Sequence, residues 1–270
     1  MSSPPALEIS GLTKRYRKLV AVDDLSLTIP GGEFVGFIGP NGAGKSSTMS
    51  CIAGVIAPDE GSVSISGVDV VQDPVAARRR LGYVPQHLSL LDYLTGEEYL
   101  HFIADLRELD AAQRDEETEE LLTLTELTDA RDTILKEYSG GMVRKLAIAA
   151  AIIGGPAVLV LDESFVGLDP ESTYRIRKRL RRHCDDGGSI LLSSHILDML
   201  EPLCDRFVVI HQGGLVSDLT AAELKDLKSS GDVDSLTEHY LAVTGKATGA
   251  EDRERQEKEE AADSEAAASS

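Results

Sequence analysis

Cysteine is scarce and shows no pairing pattern. Cys51, Cys184 and Cys204 are odd in number and far apart, which argues against a disulfide framework and a zinc site and fits a reducing cytoplasm. Positive charge is also in short supply. Against 46 acidic residues stand 27 lysines and arginines, a net charge of -19; such a surface repels nucleic acid and excludes it as an expected partner. Long apolar runs are missing. The longest, Leu146 to Ile153, is far below the roughly 18 residues that span a bilayer, so any work at a membrane needs another chain to do the spanning. Met1 to Pro5 lacks a charged-then-apolar layout, and no signal peptide is expected. What remains is ample for a core: 270 residues, 42% of them hydrophobic, make one large or two small domains.

One stretch organises the rest. Gly39-Pro40-Asn41-Gly42-Ala43-Gly44-Lys45-Ser46 fits G-x-x-x-x-G-K-[ST], the phosphate-binding loop. The apolar run Phe34 to Ile38 precedes it as a buried strand, and Ser47 to Ala53 follows as helix until Gly54. Three glycines are expected to give the loop positive φ and bring backbone N–H groups to a polyphosphate. The helix start adds a dipole that favours the anion. Lys45 supplies a compact positive charge, and the Ser46 hydroxyl suits a Mg²⁺ ion.

Along the chain, Leu7 to Ser10 and Leu25 to Ile29 alternate apolar and polar residues, the pattern of half-exposed antiparallel strands. Ser62 to Ser66 repeats it, and Tyr16 lies between the first two. Asp73-Pro74 starts a short helix, and Leu81 to Val84 makes a strand ending at Pro85-Gln86. From Thr95 to about Ile153 the period becomes helical. Thr95 and Glu98 form a capping box ahead of Tyr99, Phe102, Ile103 and Leu106, which share one helical face. Asp110 caps a second helix whose Glu116, Glu117, Glu119 and Glu120 read as a solvated face; a third starts at Ser139. Strands return with Ala157 to Leu161 and Ser189 to Ser193, continuously apolar as in a parallel sheet covered on both faces, and Arg206 to Ser217 reads as a hairpin. The expected architecture is α/β with an inserted helical subdomain at about 87–153. Residues 246–270 hold eight acidic and four basic residues and no Val, Ile, Leu or Phe, the composition of a disordered acidic tail beyond a domain at 1–245.

Two further constellations carry chemistry. Asp162 and Glu163 end an apolar strand, where parallel sheets bind ligands. The first suits Mg²⁺; the second suits a water placed in line with a terminal phosphate. Ser139-Gly140-Gly141 opens an apolar helix and makes a second anion site at a helix N-terminus. One such site suffices for a nucleotide. Two copies meeting head to tail, each completing the other's site, account for the second.

In six motifs spread over roughly residues 7–220, the sequence resembles the ATP-binding subunit of an ABC transporter. GPNGAGKSS at 39–47 matches the Walker A loop, YSGGM at 138–142 resembles the LSGGQ signature, and VLVLDE at 158–163 matches Walker B. Gln86 stands at the Q-loop, Gly167-Leu168-Asp169 at the D-loop, and His195 at the switch histidine; Tyr16 sits where family members stack an aromatic ring on adenine. The resemblance implies a P-loop NTPase core with an antiparallel β subdomain and an inserted α-helical subdomain. It implies ATP and Mg²⁺ held between two protomers. Gly39 to Ser47, including Pro40, Asn41, Ala43 and Ser47, would hold the phosphates, and Ser139, Gly140 and Gly141 of the opposite chain the γ-phosphate. Ser46, Gln86 and Asp162 would serve the metal, Glu163 would be the general base, His195 would touch the γ-phosphate, and Asp169 would link the two sites. A second ATP-binding subunit and a separate transmembrane permease follow as implied partners, with a cytoplasmic location on the inner face of the membrane.

Leu91 to Glu98 resembles the matching segment of drug and polysaccharide exporter ATPases, so export is the implied direction; a soluble ABC ATPase driving complex or cofactor assembly is the alternative. Three positions depart from the family pattern. Met142 replaces Gln and loses the reciprocal capping bond, Ser164 replaces Pro, and Val166 replaces a small residue. None removes a charged catalytic group, so hydrolysis is expected to be retained but slower.

Overall fold

The computed structural model describes residues 4–245; the expected acidic tail at 246–270 lies outside them. In chain order the elements are β1 (Leu7–Tyr16), β2 (Leu19–Ile29), β3 (Phe34–Ile38), α1 (Lys45–Ile52), β4 (Glu60–Ile65), β5 (Val68–Asp69), α2 (Pro74–Arg79), β6 (Leu81–Val84), α3 (Gly96–Leu106), α4 (Ala111–Thr125), α5 (Gly140–Ile152), β7 (Val158–Asp162), α6 (Pro170–Asp185), β8 (Ser189–Ser193), α7 (Leu197–Leu200), β9 (Arg206–His211), β10 (Gly214–Thr220) and α8 (Ala221–Ser230). A helical stretch at 236–245 follows. Tyr16 lies at the end of β1, opposite Leu19.

Strands β2-β1-β4-β5 form an antiparallel sheet, and β10-β9-β3-β8-β7-β6 a second one of six strands. All pairs of the second sheet are parallel except β9 with β10. The continuous apolar runs have a simple cause. Successive strand residues point to opposite faces, and both faces of this sheet are covered. Leu159, Leu161, Ile190 and Leu192 enter a core shared with α3 to α6; Val158, Val160 and Leu191 enter another shared with α1 and the antiparallel sheet.

Close packing holds β6 under α5. A Cβ on Gly82 would lie 2.2 Å from the Ala151 carbonyl oxygen and 2.4 Å from Leu159 Cδ2. Gly82→Ala is therefore expected to lower stability by about 3 kcal/mol, the upper range for overpacking, as a fall in the urea midpoint.

Two expectations about the helical segment need correcting. The capping boxes at Thr95 and Asp110 are present, but the buried stripe of α3 is Gly96, Leu100 and Ala104. Phe102 and Leu106 are exposed, while Tyr99 and Ile103 pack only at the core's edge. The narrow stripe of α3 facing α4 and α5 is fixed by the Gly96 backbone lying against Tyr138, which no periodicity encodes. In the acidic run of α4, Glu116, Glu119 and Glu120 are solvated as expected, and only Glu117 departs. Glu117 accepts from the Gly154 backbone N–H at 2.6 Å, and Glu119 and Glu120 pair with Arg131 and Arg179.

Candidate functional site

Parallel register assembles the site. Val84 pairs with Leu161, and Asp162 and Phe37 both pair with Ser193. The C-terminal ends of β3, β6, β7 and β8 therefore share one edge, and each releases a loop there. A cleft of about 380 Å³ opens over that edge, lined by Tyr16, Leu19, Ala21, Asn41, Gly42, Gly44, Lys45, Ser46, Ser47, Gln86, Asp162 and Glu163.

The loop after β3 is built by two different uses of glycine. Gly42 and Gly44 take positive φ, and a Cβ on Gly44 would sit 2.3 Å from the Ala21 carbonyl oxygen. Gly39 does not take positive φ, contrary to expectation. It is needed for close approach, because a Cβ there would meet the Ile210 carbonyl at 2.6 Å. Pro40 and buried Ala43 shape the turn, with the Ala43 N–H donating to the Pro40 carbonyl at 3.2 Å. Helix α1 has Gly44 as N-cap and no side-chain cap, so its first N–H groups are left for an anion.

Lys45 is 8% exposed and donates Nζ to the carbonyls of Gly39 at 2.6 Å and Pro40 at 3.1 Å. One ammonium proton is left for the cleft. Burial pushes its pKa down, opposed by the carboxylates of Glu163 and Asp162. Opposite stands Asp162, whose buried carboxylate accepts from Ser193 Oγ at 2.5 Å. Glu163 has φ 49°, unusual for a side-chain-bearing residue. Its N–H donates to Ser193 Oγ at 3.0 Å, and its Oε2 lies 2.7 Å from His195 Nδ1. An ionised carboxylate only accepts, so His195 must donate through Nδ1.

The sequence expectations divide here. Tyr16, Asn41, Gly42, Gly44, Lys45, Ser46, Ser47, Gln86, Asp162 and Glu163 share the cleft, and His195 joins them through Glu163. Ser139, Gly140, Gly141 and Asp169 do not line it. Ser139 caps α5 by accepting from the Met142 N–H at 3.3 Å, without a reciprocal bond. Asp169 caps α6 through the Ser172 N–H and also pairs with Lys145 at 3.0 Å. The Ser172 hydroxyl, then the Ser172 N–H and then Lys145 hold its carboxyl well below the usual range. Sequence reasoning gave no role to Ser193 or Arg144. A polar residue ending the buried strand next to Asp162 was the available signal for Ser193; nothing signalled Arg144.

A family model described as ABC transporter matches residues 22–166. The chain is 42% identical over 220 residues to the daunorubicin/doxorubicin resistance ATP-binding protein DrrA of Streptomyces peucetius, covering 82% of this chain and 67% of that protein. This protein belongs to the ABC transporter family. The ABC ATPase is also 38% identical to the Nod factor export ATP-binding protein I of Sinorhizobium fredii, over 78% of this chain and 62% of that one. A solved structure of the ATP binding subunit of an ABC transporter superposes with a TM-score of 0.83 at 33% identity, covering 88% of this chain and 99% of that one. The chain is thus an ATP-binding, ATP-hydrolysing subunit, and the expected α/β P-loop fold is borne out.

The donors in the cleft also fit Mg²⁺. Ser46, Gln86 and Asp162 line it, and each side chain has an oxygen to offer, which suits a hard cation.

Proposed function

We propose that two copies, or this chain and a related one, close head to tail over two ATP molecules and so drive a separate membrane-spanning permease, in the direction of export. The observation that carries this is the Ser139 helix tip. A Cβ on Gly140 would meet nothing within 4 Å, one on Gly141 nothing nearer than 3.6 Å, and neither glycine takes positive φ. Nothing in their own chain requires glycine there, and the tip stands away from its own cleft. Bare backbone at an exposed helix start suits close approach of a neighbour's triphosphate.

In this reading Gly39 to Ser47 cradle the phosphates, Lys45 draws charge from them, and Tyr16, 44% exposed with Lys14 Nζ 5.7 Å from its ring, stacks on the adenine. Ser46, Gln86 and Asp162 hold Mg²⁺, which supplies charge neutralisation at the phosphates. Glu163 takes the proton of the attacking water, His195 orients that carboxylate and meets the γ-phosphate, and Asp169 belongs to the contact between copies. The cytoplasmic face of a membrane is the setting that follows; among the described residues no helix is long and apolar enough to cross one.

The helical segment offers a docking face for the permease. Tyr93 is 84% exposed, and Leu91, Phe102 and Leu106 of the same segment are exposed as well. The relatives' names speak of daunorubicin/doxorubicin resistance and of Nod factor export, and the second supports the outward direction. Tyr93→Asp is expected to abolish co-purification with a membrane chain from detergent extracts while ATP turnover by the free subunit stays within about twofold, since a desolvated charge costs several kcal/mol at an interface. Recovery of the unaltered protein in the soluble fraction alone would favour the assembly-ATPase reading.

A further inference from the structure

Glu163 is fastened at every polar group, and one fastening comes from an unexpected place. Its N–H is held by Ser193 of β8 and its carboxylate by His195. Its carbonyl accepts from Arg144 Nη1 at 3.0 Å and from the Val166 N–H at 3.3 Å. The same guanidinium extends Nη2 to the Gln86 carbonyl at 3.4 Å. Arg144 is half-buried on α5, five residues beyond the Ser139 tip. The next residue, Lys145, pairs with Asp169 at 3.0 Å and Glu126 at 3.4 Å. Consecutive residues of α5 thus grip the segment after β6, the segment after β7 and the start of α6.

We infer that Arg144 is a positioning residue: it fixes the main chain of Glu163 and Gln86 together, and so sets the aim of the Glu163 carboxylate from the helix whose tip serves the other site. The physical case rests on φ. Glu163 sits in the left-handed region, which persists only where surrounding bonds over-determine it. A rigid fork with several donors bridges two carbonyls; a lysine ammonium on a flexible stem does not hold both in a fixed plane. Without the guanidinium the carbonyl keeps only its longer bond from the Val166 N–H at 3.3 Å, so the peptide relaxes and swings the carboxylate from its line with the water. A displacement of about 1 Å costs up to 10²-fold in rate.

The inference rests on Glu163 being the general base, so the experiment includes Glu163→Gln. Arg144→Met and Arg144→Lys are made in the full chain, and kcat, KM for ATP, nucleotide affinity and urea midpoint are measured. Arg144→Met is expected to lower kcat about tenfold or more, leaving KM and nucleotide affinity within about twofold; Arg144→Lys should restore only part. In the Glu163→Gln background, Arg144→Met should add no further loss, because an effect routed through a carboxylate ends when the carboxylate is gone. A lower urea midpoint with unchanged kcat, or an independent loss in the double variant, overturns the assignment. If Glu163→Gln itself keeps full turnover, the reading of the site has failed; if Glu163→Gln is inactive and Arg144→Met fully active, only the role of Arg144 has.

Discussion

Glu163→Gln is expected to lower ATP turnover by about 10²–10⁴, the range contributed by a general base, while leaving nucleotide binding intact. The substitution keeps the shape of the side chain, and the amide oxygen still accepts from His195, which sits 2.7 Å from Oε2. The N–H and carbonyl of residue 163 keep their bonds to Ser193 and Arg144. The ability to take a proton is lost, together with the negative charge beside His195. ATP should then hold two copies together without being consumed, so light scattering in ATP and Mg²⁺ should report a dimer where the unaltered protein cycles. A monomer at saturating ATP, or turnover within twofold of the unaltered chain, would remove Glu163 from this role.

The second large effect separates stability from activity. Gly141→Asp places a carboxylate in the first turn of α5, where the helix dipole favours it by about 0.3–1 kcal/mol. The new Cβ meets nothing closer than 3.6 Å. The variant should therefore be as stable as its parent or slightly more so. Hydrolysis should nonetheless fall by about 10²–10³, the cost of losing one well-placed donor to a developing anion, because the carboxylate repels the neighbour's triphosphate. In a mixture with Glu163→Gln, a mixed dimer has one composite site that joins the intact base of the first chain to the intact tip of the second, and one site that lacks both. The mixture should then regain no more than a fraction of wild-type turnover. A chain carrying Gly141→Asp that hydrolyses ATP normally would sink the two-copy site, since the tip would then serve nothing.

The departure at Met142 bears on the same helix start. Ser139 still caps α5, but without a side chain reaching back to its N–H. That missing half is worth less than about 1 kcal/mol, too little to unfold a helix buried from Leu146 to Ile152. The tip is therefore looser than a full capping box would make it, but it is present.

Much of the molecule follows from local pattern alone. The loop from Gly39 to Ser46, the strands at 81–84 and 189–193, and the caps at Asp73, Thr95, Asp110 and Asp169 each depend on neighbours within a few positions. Spacing and turn chemistry therefore reveal them. Tertiary structure decided the rest, because it depends on residues far apart in the chain. Parallel pairing brought Asp162 beside Ser193, 31 positions away. Helix packing buried Leu100 and Ala104 instead of Phe102 and Leu106, and gave Glu117, Glu119 and Glu120 partners 37, 12 and 59 positions distant. The Arg144 fork spans 58 positions to Gln86 and 19 to Glu163; its geometry exists only once α5 lies across the ends of β6 and β7.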